Sequence, residues 1–203
     1  TFELIPRIGL DFVLAHAEGT RAPLAQRYDW YVLVELSAGR GERLDTLLEE
    51  SLAGAVDQGL VADAAIAQTD TQRADFWALR ENLSEVQKSE GGSIKHDVSV
   101  PVSALPAFIA RACAAVEERM PGIRPVPFGH IGDGNVHFNP SQPTDMAKSE
   151  FLARWDEMST LVHGIVVEMG GSISAEHGIG RMKRDEIAQL KQGPALEMMR
   201  AIK

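Results

Sequence analysis

The sequence predicts an α+β fold in which an antiparallel sheet is covered by helices. Three observations carry this prediction. Strand-length runs of β-branched and aromatic residues alternate with stretches of helical periodicity. An Asp133-Gly134 pair sits between two short apolar runs as a hairpin signal. A chain of 203 residues with 44% hydrophobic content is long enough to bury a sizeable core.

The elements follow in order. Leu4, Ile5, Ile8, Phe12 and Leu14 recur at helical spacing, so the first element is expected as a helix ending in the loop at 19–23. Residues 30–36 read as a strand. Residues 42–56 read as a helix with Leu44, Leu47, Leu48, Leu52 and Val56 on one face, closed by Gly59. A second strand is expected at 61–67 and a helix at 71–87, entered by Asp70 as its cap. Residues 93–100 alternate as a strand up to Pro101, and 103–119 form a helix that stops before Pro121. The hairpin strands are 124–130 and 135–139, a long helix spans 144–169 up to Gly170-Gly171, and 195–202 is helix-like to the end. No low-complexity tract or charge block marks a linker, so residues 1–203 are assigned to one domain.

Composition narrows the function. Against 20 Lys and Arg stand 29 Asp and Glu, a net charge of -9, which argues against a surface built to neutralise nucleic-acid phosphates or anionic lipid. No apolar run approaches the roughly 20 residues of a membrane span, and the N-terminal residues lack the pattern of a signal peptide. Cys113 is the single cysteine, so neither an internal disulfide nor a thiolate metal cage can form, which fits a reducing, cytoplasmic setting. Its apolar neighbours make it a buried small hydrophobe. Because the chain starts at Thr1 and ends with a helical pattern still running, it is expected to be a piece of a longer protein.

Three segments concentrate polar and glycine residues. In the first, Phe128-Gly-His130-Ile-Gly132-Asp133-Gly134-Asn135-Val-His137-Phe-Asn139, two imidazoles stand on opposite arms of a tight turn and can converge across it. His137 and Asn139 are two apart on one strand and share a face. The second segment, Ser174-Ala-Glu176-His177-Gly178-Ile-Gly180, places a carboxylate beside an imidazole in a glycine-rich loop. Two histidines and one carboxylate form a common set for a divalent ion with open positions, Zn²⁺ first among them, which leaves His177 as a base. The competing reading is ordinary: the glycines serve tight turns and the histidines make core or surface hydrogen bonds.

In the third segment, Trp77-Ala-Leu-Arg80-Glu81-Asn82-Leu83-Ser84 with Lys95-His96-Asp97 after it, Arg80 and Ser84 are four apart on one helix face. Lys95 falls within the next strand, an odd place for a charge that faces no site. Arg offers a fork for a carboxylate and Lys a point charge; equally, Arg80 pairs with Glu81 or Asp97 on the surface. The Gly39-Arg-Gly41-Glu-Arg-Leu44 stretch is a turn rather than a dinucleotide fingerprint, since Leu44 stands where the third glycine belongs. His16 and His163 lie within helical patterns without a polar companion at the right spacing and read as surface or core residues.

Taken together, the His130–Asn139 hairpin, the Glu176-His177-Gly178-Ile-Gly180 loop and the Trp77-Ala-Leu-Arg80-Glu81 helix resemble the C-terminal substrate domain of FAD-linked oxidases of the vanillyl-alcohol-oxidase type. This group includes D-2-hydroxyglutarate, D-lactate and glycolate dehydrogenases. The resemblance runs from about Leu4 to Lys203. It implies a ferredoxin-like α+β cap domain that normally follows an N-terminal flavin-binding domain, which would be this chain's partner. It further implies His130, His137 and Glu176 as metal ligands, His177 as catalytic base, and Arg80, Ser84, Lys95 and Asn139 as substrate-binding residues. Arg80 and Lys95 together favour a dicarboxylate such as D-2-hydroxyglutarate or D-malate, with D-lactate and glycolate as the other members' substrates.

The chemistry fits these residue types. A 2-hydroxy acid chelates a divalent ion through its hydroxyl and one carboxylate oxygen, and an adjacent imidazole takes the hydroxyl proton while hydride leaves C2 for the flavin of the other domain. The chain is thus expected to be the substrate- and metal-binding half of a flavoenzyme, inactive alone and with an unknown electron acceptor. Asp133 is a candidate to orient a ligand histidine, or simply a turn residue. A surface left open where the flavin domain belongs gives a route to a homodimer. Two rival readings use the same residues: a free-standing metal-dependent hydrolase, in which His130, His137 and Glu176 activate water, and a non-catalytic ferredoxin-like ligand-binding module whose hairpin is structural.

Overall fold

The computed structural model describes residues 1–39 and 43–202. Five strands, β1 (Phe2–Pro6), β2 (Trp30–Val34), β3 (His96–Ser99), β4 (Pro127–His130) and β5 (Asn135–Phe138), form one sheet. Their order is β2-β1-β4-β5-β3, and every neighbouring pair is antiparallel. The helices are α1 (Arg7–His16), α2 (Leu44–Asp57), α3 (Asp70–Glu81), α4 (Leu83–Val86), α5 (Leu105–Arg119), α6 (Lys148–Leu152), α7 (Trp155–Glu168), α8 (Arg184–Leu190) and α9 (Pro194–Ile202). The fold is α+β, an antiparallel sheet covered by helices.

From β3 onward the chain runs strand, helix α5, hairpin β4–β5, helix α7, and returns to a bridge between Ser99 and Ser172. The spatial sequence β4-β5-β3-Ser172 is the split βαββαβ order called ferredoxin-like. The β1–α1–β2 unit extends this sheet beyond β4.

Alternation along the strands divides the interior in two. Leu4, Val98, Val136 and Phe138 pack with Phe108 and Val116 of α5 and Val162 and Val166 of α7. On the opposite face Ile5 and Phe128 pack with Leu10 and Val13 of α1, Leu79 of α3 and Leu83 of α4. Each fully buried Phe or Leu stabilises the fold by roughly 1.5–3 kcal/mol. Cys113 is partly buried against the larger cluster, where burial pushes its thiol up to about 12. The β4–β5 turn needs glycine at 134: φ is +90°, and a Cβ there would stand 2.2 Å from the Val100 carbonyl oxygen.

Several elements differ from the sequence reading. The first element is a strand and then a helix. Pro6 lacks an N–H and holds the residue before it extended, so Phe2–Pro6 pairs with β2 and β4 and the helix starts only at Arg7. Residues 61–67 form no strand. Asp63 there turns its carboxylate onto the Ala64 N–H at 2.8 Å, a local bond that competes with a ladder. The cap of α3 is Thr69, whose Oγ1 accepts the Gln72 N–H at 3.2 Å, while Asp70 is already in the first turn. The helix expected at 71–87 is divided into α3 and α4, and the one at 144–169 into α6 and α7. No residue of α2 is buried, and Leu47 on its apolar face is 53% exposed. Of the turn read at 39–44, residues 40–42 lie outside the described residues, as does the start of the helix read at 42–56.

Candidate metal and substrate centre

Cross-strand register assembles the centre. Glu3 pairs with His130, and Asp97 and Phe128 both pair with His137. Since directly paired residues project to the same side of a sheet, Glu3, His130, His137 and Asp97 form a row across β1, β4, β5 and β3. They stand on the face that α1, α3 and α4 partly cover. Onto this row folds the 174–178 loop. Asp97, 5% exposed, fastens it by accepting the backbone N–H of Glu176 at 2.8 Å and of His177 at 2.6 Å on Oδ2.

Glu176 is thereby brought to both histidines: its Oε1 is 2.9 Å from His130 Nε2, and its Oε2 is 3.6 Å from His137 Nε2. One ligand atom from each of the three residues lies within 4.8 Å of the others. The two imidazole centroids are 5.9 Å apart. A tetrahedral ion with bonds of about 2.0–2.2 Å spaces neighbouring donors by about 3.3 Å, which the two Glu176 distances bracket. His130 Nδ1 meets the Glu3 carboxylate at 2.6 Å. With the ring proton on Nδ1, the 2.9 Å contact of Nε2 with Glu176 sets two acceptors face to face unless a cation or second proton lies between. The donor set and its polarity therefore fit a divalent metal. Burial, followed by the nearby Arg80 charge, lowers the His137 pKa and favours the neutral imidazole a metal requires.

Beside this row opens a cleft of about 1070 Å³, lined among others by Ser84, Lys95, His137, Asn139, His177 and Lys183. The His177 side chain is 73% exposed, and its ring centroid is 6.4 Å from that of His137. Among the described residues its nearest carboxylate oxygen, Asp97 Oδ2, is 3.9 Å from Nδ1, which leaves the ring open to a ligand. Lys95 stands just before β3 rather than within it, with Nζ 3.4 Å from the Ser84 carbonyl. Burial, then the neighbouring Lys88 charge, lowers its pKa.

Arg80 and Ser84 do not share one continuous helix face, because Asn82 separates α3 from α4. Arg80 is 9% exposed, lies 5.0 Å over the Phe128 ring and donates Nε–H to Glu3 Oε2 at 2.8 Å. Among the described residues neither of its Nη groups makes a hydrogen bond. The Asn139 amide already has partners: Oδ1 accepts the His96 N–H and Nδ2 donates to Gln87, both at 3.2 Å. Asn139 thus holds the cleft wall instead of converging with the two histidines. Asp133 serves the turn, accepting the Asn135 N–H at 3.0 Å.

Two groups emerge that the sequence reading passed over. Glu3 was hidden in an apparent helix, although Phe-Glu-Leu-Ile-Pro carries a charge in an apolar run stopped by proline. Asp97 appeared only as a surface partner for Arg80. Conversely, His163 is a buried residue of the cleft wall. It pairs with Glu186 at 2.8 Å and stacks edge-on to His96 with ring centroids 5.4 Å apart.

His96 carries a pH consequence. It is 1% exposed, its Nδ1 meets the Phe138 carbonyl at 2.8 Å, and burial lowers its pKa from 6.5 to about 3. The folded chain refuses a proton that the unfolded chain accepts. Its stabilising effect is complete above about pH 6.5 and is lost as pH falls toward 3, by up to about 1.4 kcal/mol per pH unit. Urea melts at pH 7.5, 6 and 5 are expected to show this decline, and His96→Gln to flatten it.

Comparison with known proteins agrees with the architecture. A family model described as "FAD linked oxidases, C-terminal domain" matches residues 1–203. D-2-hydroxyglutarate dehydrogenase of Xanthomonas citri pv. viticola is 37% identical over 202 residues, covering 100% of this chain and 42% of that protein. The same-named protein of Stutzerimonas stutzeri is 38% identical over 182 residues, covering 90% of this chain and 39% of that protein. The mitochondrial D-2-hydroxyglutarate dehydrogenase of Arabidopsis thaliana is 32% identical over 207 residues, covering 100% and 35%. The chain spans about two fifths of the length of these curated relatives. With a ferredoxin-like sheet and a match along its whole length, the chain belongs to the C-terminal domain family of FAD-linked oxidases.

Proposed function

We propose that this chain is the substrate- and metal-binding part of an FAD-dependent D-2-hydroxy acid dehydrogenase, with D-2-hydroxyglutarate as substrate. The observation that carries the reading is the meeting of His130, His137 and Glu176 beside a cleft that His177 and Lys95 enter. His130 Nε2, His137 Nε2 and Glu176 would hold the metal, with zinc the ion best suited to this donor set. When bound, such an ion acts as a Lewis acid that lowers the pKa of a substrate hydroxyl. A bound FAD, held chiefly by the rest of the protein, supplies the two-electron acceptor.

The chain's own residues do the remaining work. His177, exposed beside the ligand Glu176, takes the proton of the C2 hydroxyl on a ring nitrogen. Lys95 Nζ, the Ser84 hydroxyl and the Arg80 Nη groups hold the distal carboxylate, which orients C2. A dicarboxylate suits this arrangement because Lys95 lines the same cleft as His137 and His177, where the hydroxy-acid end would chelate the metal. The three relatives described above are named D-2-hydroxyglutarate dehydrogenases, which supports the same substrate class.

The test compares D-2-hydroxyglutarate with D-lactate as substrates of the full-length flavoprotein, beside Lys95→Met. A charged hydrogen bond contributes about 1.5–3 kcal/mol. Lys95→Met is therefore expected to lower kcat/KM for D-2-hydroxyglutarate about 10- to 100-fold and to leave D-lactate nearly unchanged. Equal loss on both substrates would remove Lys95 from the distal carboxylate.

A further inference from the structure

Glu3 belongs to no cluster that the hairpin or the loop announces, yet its carboxylate is among the most buried charges of the chain, at 1% exposure. Both oxygens are used. Oε2 accepts Arg80 Nε–H at 2.8 Å, and Oε1 meets His130 Nδ1 at 2.6 Å. Burying a carboxylate is costly unless it is paired and hydrogen-bonded, and here one cation and one imidazole supply the pairing. Asp97 gives His137 no equivalent support, since its Oδ1 is 3.9 Å from His137 Nδ1, beyond hydrogen-bond range.

We infer that Glu3 is the positioning residue of the metal centre: it keeps the His130 ring proton on Nδ1, so that Nε2 presents its lone pair toward Glu176 and the ion. This rests on the metal-centre reading above. The logic is one of donors and acceptors. Arg80 is always protonated and can only donate, so the Glu3 oxygen it meets must accept. The other oxygen of this Arg80-paired carboxylate accepts as well, and among the described residues the donor facing it is His130 Nδ1–H. Register brings the two side chains together, because Glu3 and His130 are directly opposed on β1 and β4.

Glu3→Gln tests the inference by changing one atom type. Arg80 still demands an acceptor, so the glutamine amide oxygen turns to it and the NH₂ turns to His130. Nδ1 must then accept, the proton moves to Nε2, and the lone pair needed by the metal is gone. The experiment measures Zn²⁺ affinity by chelator competition and the His130 tautomer by side-chain ¹⁵N shifts of the metal-free protein, for the wild type, Glu3→Gln and Arg80→Gln. The wild type is expected to bind Zn²⁺ and, metal-free, to carry a proton on His130 Nδ1. Glu3→Gln is expected to show the Nε2–H tautomer and to bind about 10- to 100-fold more weakly. Arg80→Gln still donates to Glu3, so tautomer and affinity stay near the wild-type values.

Equal affinity in wild type and Glu3→Gln would overturn the inference and leave the metal centre standing. So would equal losses in both variants, which would mean that any break in the buried pair disturbs the site. An Nε2–H tautomer in the wild type overturns it even if Glu3→Gln does not fold. A wild-type protein that binds no Zn²⁺ would overturn the metal-centre reading itself, and this inference with it.

Discussion

His177→Ala is expected to lower kcat for D-2-hydroxyglutarate oxidation by about 10²- to 10⁴-fold, the usual range for removing a general base. The structure makes this a clean substitution. The His177 side chain is 73% exposed, and the bonds that hold its loop run through its backbone, to Asp97 and Ser174. Alanine keeps those bonds, so melting temperature and metal content should match the wild type. The loss should also be confined to turnover, with KM changed by no more than a few-fold, because the proposed substrate contacts are the metal end and the Lys95 side of the cleft. Steady-state kinetics on the full-length flavoprotein, with metal analysis of the same preparation, give the answer. A kcat within a few-fold of wild type would move the base elsewhere.

The second large effect is on the metal. His137→Ala removes one of the three proposed donors and leaves His130 and Glu176, too few for a stable zinc site of this kind. Zinc affinity is expected to fall by more than about 100-fold and the purified variant to carry little metal. Because His137 packs against Phe128 with ring centroids 5.1 Å apart, some folding stability is lost too. The comparison variant is therefore His137→Gln, which preserves most of the volume but supplies no imidazole. Elemental analysis of both, beside the wild type, separates loss of the donor from loss of packing. Retained stoichiometric metal in both variants would exclude His137 as a ligand, and with it the three-residue centre.

Much of this arrangement is legible in the sequence alone. The Asp133-Gly134 turn and the apolar arms on either side predict β4 and β5, and the hairpin register then forces His130 and His137 toward each other. The Glu176-His177 pair is also readable as two neighbours with different duties. Glu3 was not readable, because Leu4, Ile5 and Ile8 fit a helix as well as a strand, and only Pro6 tells them apart. Asp97 was obscured for another reason: in Lys95-His96-Asp97 three polar residues follow one another, and period two sends His96 to one side of the sheet and Asp97 to the other. Local pattern records which way a side chain alternates, but the strand order that puts β1 beside β4 is a long-range fact. The split of the helix read at 144–169 is of the same kind, since apolar spacing continues across Ala153 and Arg154 although the chain bends there.

The centre also ties together parts of the chain that are made at very different times. Glu3 and His130 are 127 positions apart, and Asp97 and Glu176 are 79 apart. Such separations place the site among the slow, late events of folding, since contacts between distant segments form only after the loops between them have closed. A nascent chain holds no complete centre until its 174–178 loop has been synthesised and laid across strands begun at residue 2. The ion would therefore be acquired last, and bound metal would serve as a record that the whole topology is complete. In a mixture of folded and misassembled molecules, metal content would count the correctly threaded ones even where secondary structure looks alike.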